Sequence, residues 1–340
     1  MTLPPSPLPP TSTRTTTIIS LLCPPSPQVP WYEYPLLTKT FNAMEGTCAI
    51  TRGVLTVVLI LAFLVMLAIN VFFPPSMRPA FLDPLFGNNL TTSEMSDIYE
   101  SDIDPASWAF SIWGVIYTWQ VLMIIYVTSL ICRKHVPNVL NCSFLGLYIL
   151  SCFFNGTWII IWQRKYLSAA PGVLFAICFA LYATLFMSFY RLNKFAKSNF
   201  RKFDFWCIQV LVHNGIAFYA TWCTVASLLN MTTAITYVHG VAKTTAGTIA
   251  LSILAAEIIV WFFVENFILE RFLRYTISQY PVLILALTAI LYSHWKPGNA
   301  NAILTLVLLC VVCVLYVLRL VRVALKIKGE WHSRSEDLKA

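Results

Sequence analysis

The chain has 340 residues, 58% of them hydrophobic and only 11% charged, against roughly 45–50% and 25% in an ordinary soluble domain. So few charges cannot cover the surface of a soluble globule, and so many apolar side chains exclude disorder over most of the length; a mean hydropathy of +0.71 and 14% aromatic residues place the chain in lipid. The formal charge of +8 is scattered between apolar runs and forms no basic face, which excludes nucleic acid as the expected partner and leaves the bilayer.

Residues 1–35 hold ten of the nineteen prolines among Ser and Thr. Such a segment buries too little apolar surface to fold, so residues 1–49 are expected to form a disordered tail. It also lacks the basic start and continuous apolar core of a signal peptide.

Eight apolar runs follow: Gly53–Phe73, Trp108–Cys132, Cys142–Trp162, Ala169–Tyr190, Trp206–Leu229, Thr248–Ile268, Ile277–Trp295 and Ala302–Val323. Most approach the ~20 residues a helix needs to cross a ~30 Å hydrocarbon core, and none alternates with the period of two of a barrel strand. The expected fold is therefore an all-α polytopic membrane bundle of about eight transmembrane helices. With the N-terminus inside, 18 of the 23 Lys and Arg fall on the inner side. That bias predicts cytoplasmic termini, with residues 327–340 as an inner tail.

The first outer loop, residues 74–107, is acidic, carrying Asp83, Glu94, Asp97, Glu100, Asp102 and Asp104. Its ligand spacing is not that of a calcium loop, so a solvated acidic loop is expected, with no metal and no cofactor. Asn89-Leu-Thr in the same loop is a glycosylation acceptor on the outer side. It favours the plasma membrane or an endomembrane over mitochondria. The sequons at Asn155 and Asn230 fall within or at the edge of apolar runs, where no glycan is expected. Of the ten cysteines, six lie inside apolar runs, including the Cys310-x-x-Cys313 pair, and read as small packing side chains.

Three runs carry aromatic and polar stripes at helical spacing: Phe110, Trp113 and Tyr117 in the second; Asn155, Trp158 and Trp162 in the third; Tyr219, Trp222, Ala226 and Asn230 in the fifth. An interfacial aromatic belt explains Trp108, Trp162, Trp206 and Trp295. It explains Trp113, Trp158 and Trp222 less well. Interhelical packing is one reading of these stripes, and an aromatic-walled cavity for a flat apolar ligand is the other.

The same residues resemble the tryptophan-rich sensory protein and translocator protein (TspO/MBR) family of five-helix membrane proteins. Pro105-Ala-Ser-Trp-Ala-Phe-Ser-Ile-Trp-Gly-Val-Ile-Tyr117 is similar to that family's P-x-x-W-x-F-x-x-x-W-x-x-x-Y segment. Asn155-Gly-Thr-Trp158 is similar to its N-x-x-W, and Tyr219 to Asn230 to its Y-x-x-W-x-x-x-A-x-x-x-N. The resemblance covers roughly residues 50–235 as a five-helix unit and leaves residues 236–326 as three additional helices. It implies a cavity for tetrapyrroles, sterols or synthetic aromatic ligands. Phe110, Trp113, Tyr117, Asn155, Trp158, Tyr219, Trp222 and Asn230 are then the candidate ligand-binding residues, with Trp113 and Trp222 at the positions of the family's cavity tryptophans.

The later helices contribute intramembrane carboxylates. Glu257 falls near the middle of the sixth run and Glu265 nearer its inner end, with His213 at similar depth in the fifth. Charged groups at that depth are costly and face protein or water, so a proton or cation path through His213, Glu265 and Glu257 is the alternative function. Against a transporter, the two halves show no internal repeat. Leu315-Tyr316-Val-Leu-Arg319 fits both a loose cholesterol-contact pattern and a snorkelling interfacial pair. No P-loop, dinucleotide fingerprint, HExxH or nucleophile elbow occurs, and the five histidines are scattered. An enzyme is not expected.

Overall fold

The continuous apolar runs become helices, because in lipid each backbone N–H and C=O must be satisfied within its own segment. The computed structural model describes residues 35–72, 75–87, 90, 92–133, 136–195 and 201–337. The long helices are α1 (Pro35–Val71), α2 (Ile112–Cys132), α3 (Cys142–Gln163), α4 (Ala170–Phe195), α5 (Gly215–Tyr237), α6 (Lys243–Phe263), α7 (Gln279–His294) and α8 (Ala300–Asp337). No strand occurs among the described residues. Each expected run is thus helical, and the protein is an all-α membrane bundle.

Some boundaries differ from expectation. Helix α1 begins at Pro35, inside the segment expected to be a disordered tail; residues 1–34 of that segment lie outside the described residues. Helix α8 continues to Asp337. The fifth run extends beyond Leu229 to Tyr237, where Gly240, at φ 71°, turns the chain toward α6.

Among the described residues, six helices are long and apolar enough to cross a membrane, and Gln279–His294 is apolar but shorter. At 16 residues, α7 is about 24 Å long. Helix α5 is not among the six, although it has 23 residues. The reason is its position. It packs against α2, α4, α6 and α7, and 15 of its 23 residues are buried. A helix walled in by protein rather than lipid tolerates Thr, Ser, Asn and Tyr along its length.

Two π-helical segments interrupt the helices, at Ile208–Asn214 before α5 and at Val264–Ile268 after α6. The wider ring frees backbone carbonyls, which need other donors. The Trp119 indole donates to the Val210 carbonyl at 3.1 Å, and Asn214 Nδ2 to that of Gln209 at 2.8 Å. Trp119 lies so close that a Cβ on Gly215 would stand 2.9 Å from its ring. Asn214 also ties α5 to the segment before α7. Its Nδ2 donates to the Tyr275 carbonyl, and its Oδ1 accepts the N–H groups of Ile277 and Ser278.

In the acidic loop Asp83, Glu94, Asp97 and Glu100 are exposed, whereas Asp102 and Asp104 are half-buried and pinned. Asp104 accepts from the Ser101 backbone and hydroxyl at 2.6 and 2.9 Å, and Asp102 accepts from Asn301 at 3.2 Å. The Ala106 N–H donates to the Ala289 carbonyl of α7. These bonds hold the loop over one end of the bundle, called the loop end below.

Candidate functional site

Helical spacing puts each aromatic stripe on one face, and the packing turns the three faces toward one another. Trp113 is the hub. It stacks on Tyr117 at 5.5 Å and on Trp158 of α3 at 6.1 Å, and it meets Tyr219 and Trp222 of α5 edge-on at 6.1 and 6.4 Å. Phe110 meets Trp222 at 6.5 Å, also edge-on. Offset-stacked and T-shaped pairs are the arrangements the ring quadrupole favours.

Beneath the rings runs a chain of hydrogen bonds across four helices. The Tyr117 hydroxyl donates to Asn70 Oδ1 at 2.6 Å, Asn70 Nδ2 to Asn155 Oδ1 at 3.0 Å, and Asn155 Nδ2 to the Tyr219 hydroxyl at 2.8 Å. A second link joins the Trp158 indole to Asn230 Oδ1 at 3.2 Å. Asn155 and Asn230 are both buried.

Between the rings and the loop end lies a small hollow of about 40 Å³. Trp113, Trp158, Trp162 and Trp222 wall it, α5 adds Ala226, Leu229, Asn230 and Thr233, and Ser96, Asp104 and Pro105 come from the loop. The volume suits a few waters and falls far short of the ~300–1,000 Å³ of ordinary ligand pockets. The indole N–H groups of Trp162 and Trp222 are buried with no hydrogen-bond partner among the described residues. Burial pushes the Asp104 carboxyl above the usual carboxylate range, against the opposing bonds from Ser101. All eight candidate ligand-binding residues therefore lie in one connected cluster. Trp162, expected in the interfacial belt, is instead buried in the wall, whereas Trp108, Trp206 and Trp295 are about half exposed.

His213 and Glu265 have separate hydrogen-bond partners, and no hydrogen bond among the described residues joins either to Glu257. His213 is fully buried, with Nε2 2.8 Å from the Ser188 hydroxyl and Nδ1 3.0 Å from Gln209 Oε1. Glu265 lies in a different set: the Tyr280 hydroxyl donates to Oε1, Gln279 Nε2 to Oε2 at 2.7 Å, and Asn266 Nδ2 to Oε1 at 3.2 Å. Its counter-charge is Arg319, at 4.0 Å and equally buried. Arg319 also donates to Asn266 Oδ1 at 3.1 Å and to the Leu273 carbonyl at 2.7 Å. The snorkelling and sterol-contact readings of Arg319 are thus corrected. It points into protein because a buried carboxylate and two orphan carbonyl groups need its donors, and Tyr316 stacks on Tyr280 at 5.3 Å. Glu257 is half-buried, with Oε2 unpartnered. Asn89 lies outside the described residues.

Sequence reasoning missed Asn70, a lone amide near the end of α1, and Arg319 as the partner of Glu265. The first carried one signal, a polar residue in an otherwise apolar run. The second carried none that identified its partner.

An all-α polytopic membrane bundle whose aromatic stripes converge from α2, α3 and α5 defines a tryptophan-rich membrane protein. The sequence profile of the family described as TSPO-like protein matches residues 54–320, most of the chain, and the chain belongs to that family. The matched region runs through α6 and α7 into α8. Searches of curated proteins and of solved structures return no match.

Proposed function

We propose that this protein binds a flat hydrophobic ligand, a tetrapyrrole, a sterol or a molecule of similar shape, in the aromatic cluster at the loop end. The observation that carries the reading is Trp113, in ring contact with residues of three helices beside a hollow walled by four tryptophans. Lipid contact alone does not call for such a cluster, since aliphatic side chains serve as well there. The hollow is too small for a planar guest as it stands, so a ligand enters by parting the rings and lifting the Ser96–Pro105 segment from the rim. The unpaired N–H groups of Trp162 and Trp222 favour a guest with an acceptor atom.

The cluster and its loop form the outer end in this reading, with both termini in the cytoplasm. The bias of Lys and Arg supports this orientation, and the loop sequon supports a plasma-membrane or endomembrane location. Residues 50–235 carry the binding unit, and the helices of residues 236–326 brace α5 from the other side.

The test is a titration of the purified protein in lipid nanodiscs with a porphyrin and with a sterol, following tryptophan fluorescence. Saturable quenching that weakens at least about tenfold in Trp113→Phe/Trp222→Phe is expected, the loss of roughly 1.4 kcal/mol of contact. Unchanged affinity in that variant overturns the site.

A further inference from the structure

We propose that Glu257, with Trp261 and Tyr182, forms a second site that takes the cationic head of an amphiphilic amine from the bilayer. Glu257 lies near the middle of the Lys243–Ile268 span, where an unpaired carboxylate is costly and marks a functional position. It differs in this from the other acids of the helix interiors. Glu265 has Arg319, and Asp204 accepts both carboxylate bonds from Arg133 at 2.6 Å. Among the described residues, no ion pair and no hydrogen bond reaches Glu257, and its Oε2 is buried without a partner.

The rings around it fit a cation. Trp261 stands one turn further along α6, on the same face as Glu257. Tyr182 of α4 packs against the Trp261 ring at 6.4 Å, and its hydroxyl is held 2.8 Å from Thr224 of α5, which fixes the ring's orientation. A half-buried carboxylate one helical turn from the Trp261–Tyr182 ring pair binds an ammonium by charge and by cation–π attraction while the ligand's tail stays in lipid. The site shares no residue with the aromatic cluster at the loop end and stands or falls independently of it.

The probe is benzyldodecyldimethylammonium, with the uncharged N-benzyl-N-methyldodecanamide as its comparator. Equilibrium binding is measured to the full chain in phosphatidylcholine nanodiscs, with empty nanodiscs subtracted. Saturable binding of the cation alone is expected, weakened at least about tenfold in Glu257→Gln and about threefold to tenfold in Trp261→Leu. Glu257→Asp retains part of the affinity, and Trp113→Phe/Trp222→Phe leaves it unchanged. Circular dichroism and thermal melting of each variant establish that it is folded. Equal binding by Glu257→Gln and the parent, or equal binding of the amide and the ammonium, overturns the proposal.

Discussion

In its first half, α5 meets the rings through Tyr219 and Trp222; just ahead of it, Asn214 ties the chain to the segment that leads into Gln279 and Tyr280 of a knot of amides, a carboxylate and a guanidinium. The two interiors solve burial differently. The aromatic rings carry no charge themselves, border a hollow that Asp104 also lines, and leave two indole N–H groups without a partner among the described residues, so fewer directional bonds fix them. The ionic knot pins Glu265 and Arg319, each about 1% exposed or less, by directional bonds among α7, α8 and the segment between α6 and α7. Rearranging it exposes a charge to a low-dielectric interior. On the proposed function a guest reshapes the first, and the second keeps its shape.

The sharpest way to break this comparison is to remove one charge. Arg319→Met leaves Glu265 buried with only neutral donors, a change expected to cost about 3–5 kcal/mol. Thermal unfolding in nanodiscs should show a larger loss than for Gly215→Ala, Asn155→Leu or Glu270→Gln. Glu265→Gln/Arg319→Met together should recover most of it, because a well-packed neutral pair replaces a buried ion pair at little cost. If the double variant is as unstable as the single one, the knot matters for its shape and not for its charge.

A smaller effect is expected at the π-helical turn. Gly215→Ala drives a methyl to within 2.9 Å of the Trp119 ring. The ring must then move and release the Val210 carbonyl. Overpacking of this kind costs about 1–3 kcal/mol, read from the same melts, and Trp119→Phe/Gly215→Ala should fare better than Gly215→Ala alone.

In the aromatic cluster, Asn155→Leu cuts the chain from Tyr117 through Asn70 to Tyr219 and strands buried polar groups, at about 1–3 kcal/mol. Ligand binding should respond more than stability does, because Asn155 fixes where the rings of Tyr117 and Tyr219 stand. A variant that melts early but binds normally would show that the network supports the fold alone.

These regions were not equally legible in the sequence. The stripes around Trp113, Trp158 and Trp222 were, because a helix repeats every 3.6 residues and polar aromatic faces in lipid must turn inward. That they meet depends on how three helices pack, which spacing does not state. Arg319 shows the limit: a cation near the end of an apolar helix reads equally as an interfacial anchor, and its partner lies 54 residues away in sequence. The π-helical segments left no trace either, since they follow from Trp119 and Asn214 supplying donors from outside the local window. Helix α5 was legible as a helix, and its burial on nearly all sides showed only as a lower apolar content.

The smallest effect lies at the margin of the knot, where water competes. Glu270 pairs with Arg274 at 2.9 Å, one turn apart, and with Lys326 of α8 at 3.4 Å. Partial burial alone would raise its carboxyl, but the bonds and charges of Arg274 and Lys326 outweigh it and hold the group below the usual carboxylate range. A carboxylate held low in the folded state adds stability above its unfolded-state value, and that stability is lost as pH falls through the lowered one. With Lys326 half exposed, salt screens the pair, so Glu270→Gln should cost less than about 1 kcal/mol at neutral pH. The difference between parent and variant should shrink as the buffer is acidified through the carboxylate range and as salt is raised. Loss of Arg319 should resist added salt, because that guanidinium sits where ions do not reach. Equal salt sensitivity at the two positions would mean that the knot is as wet as its rim, and the contrast between a fixed ionic interior and a yielding aromatic one would lose its basis.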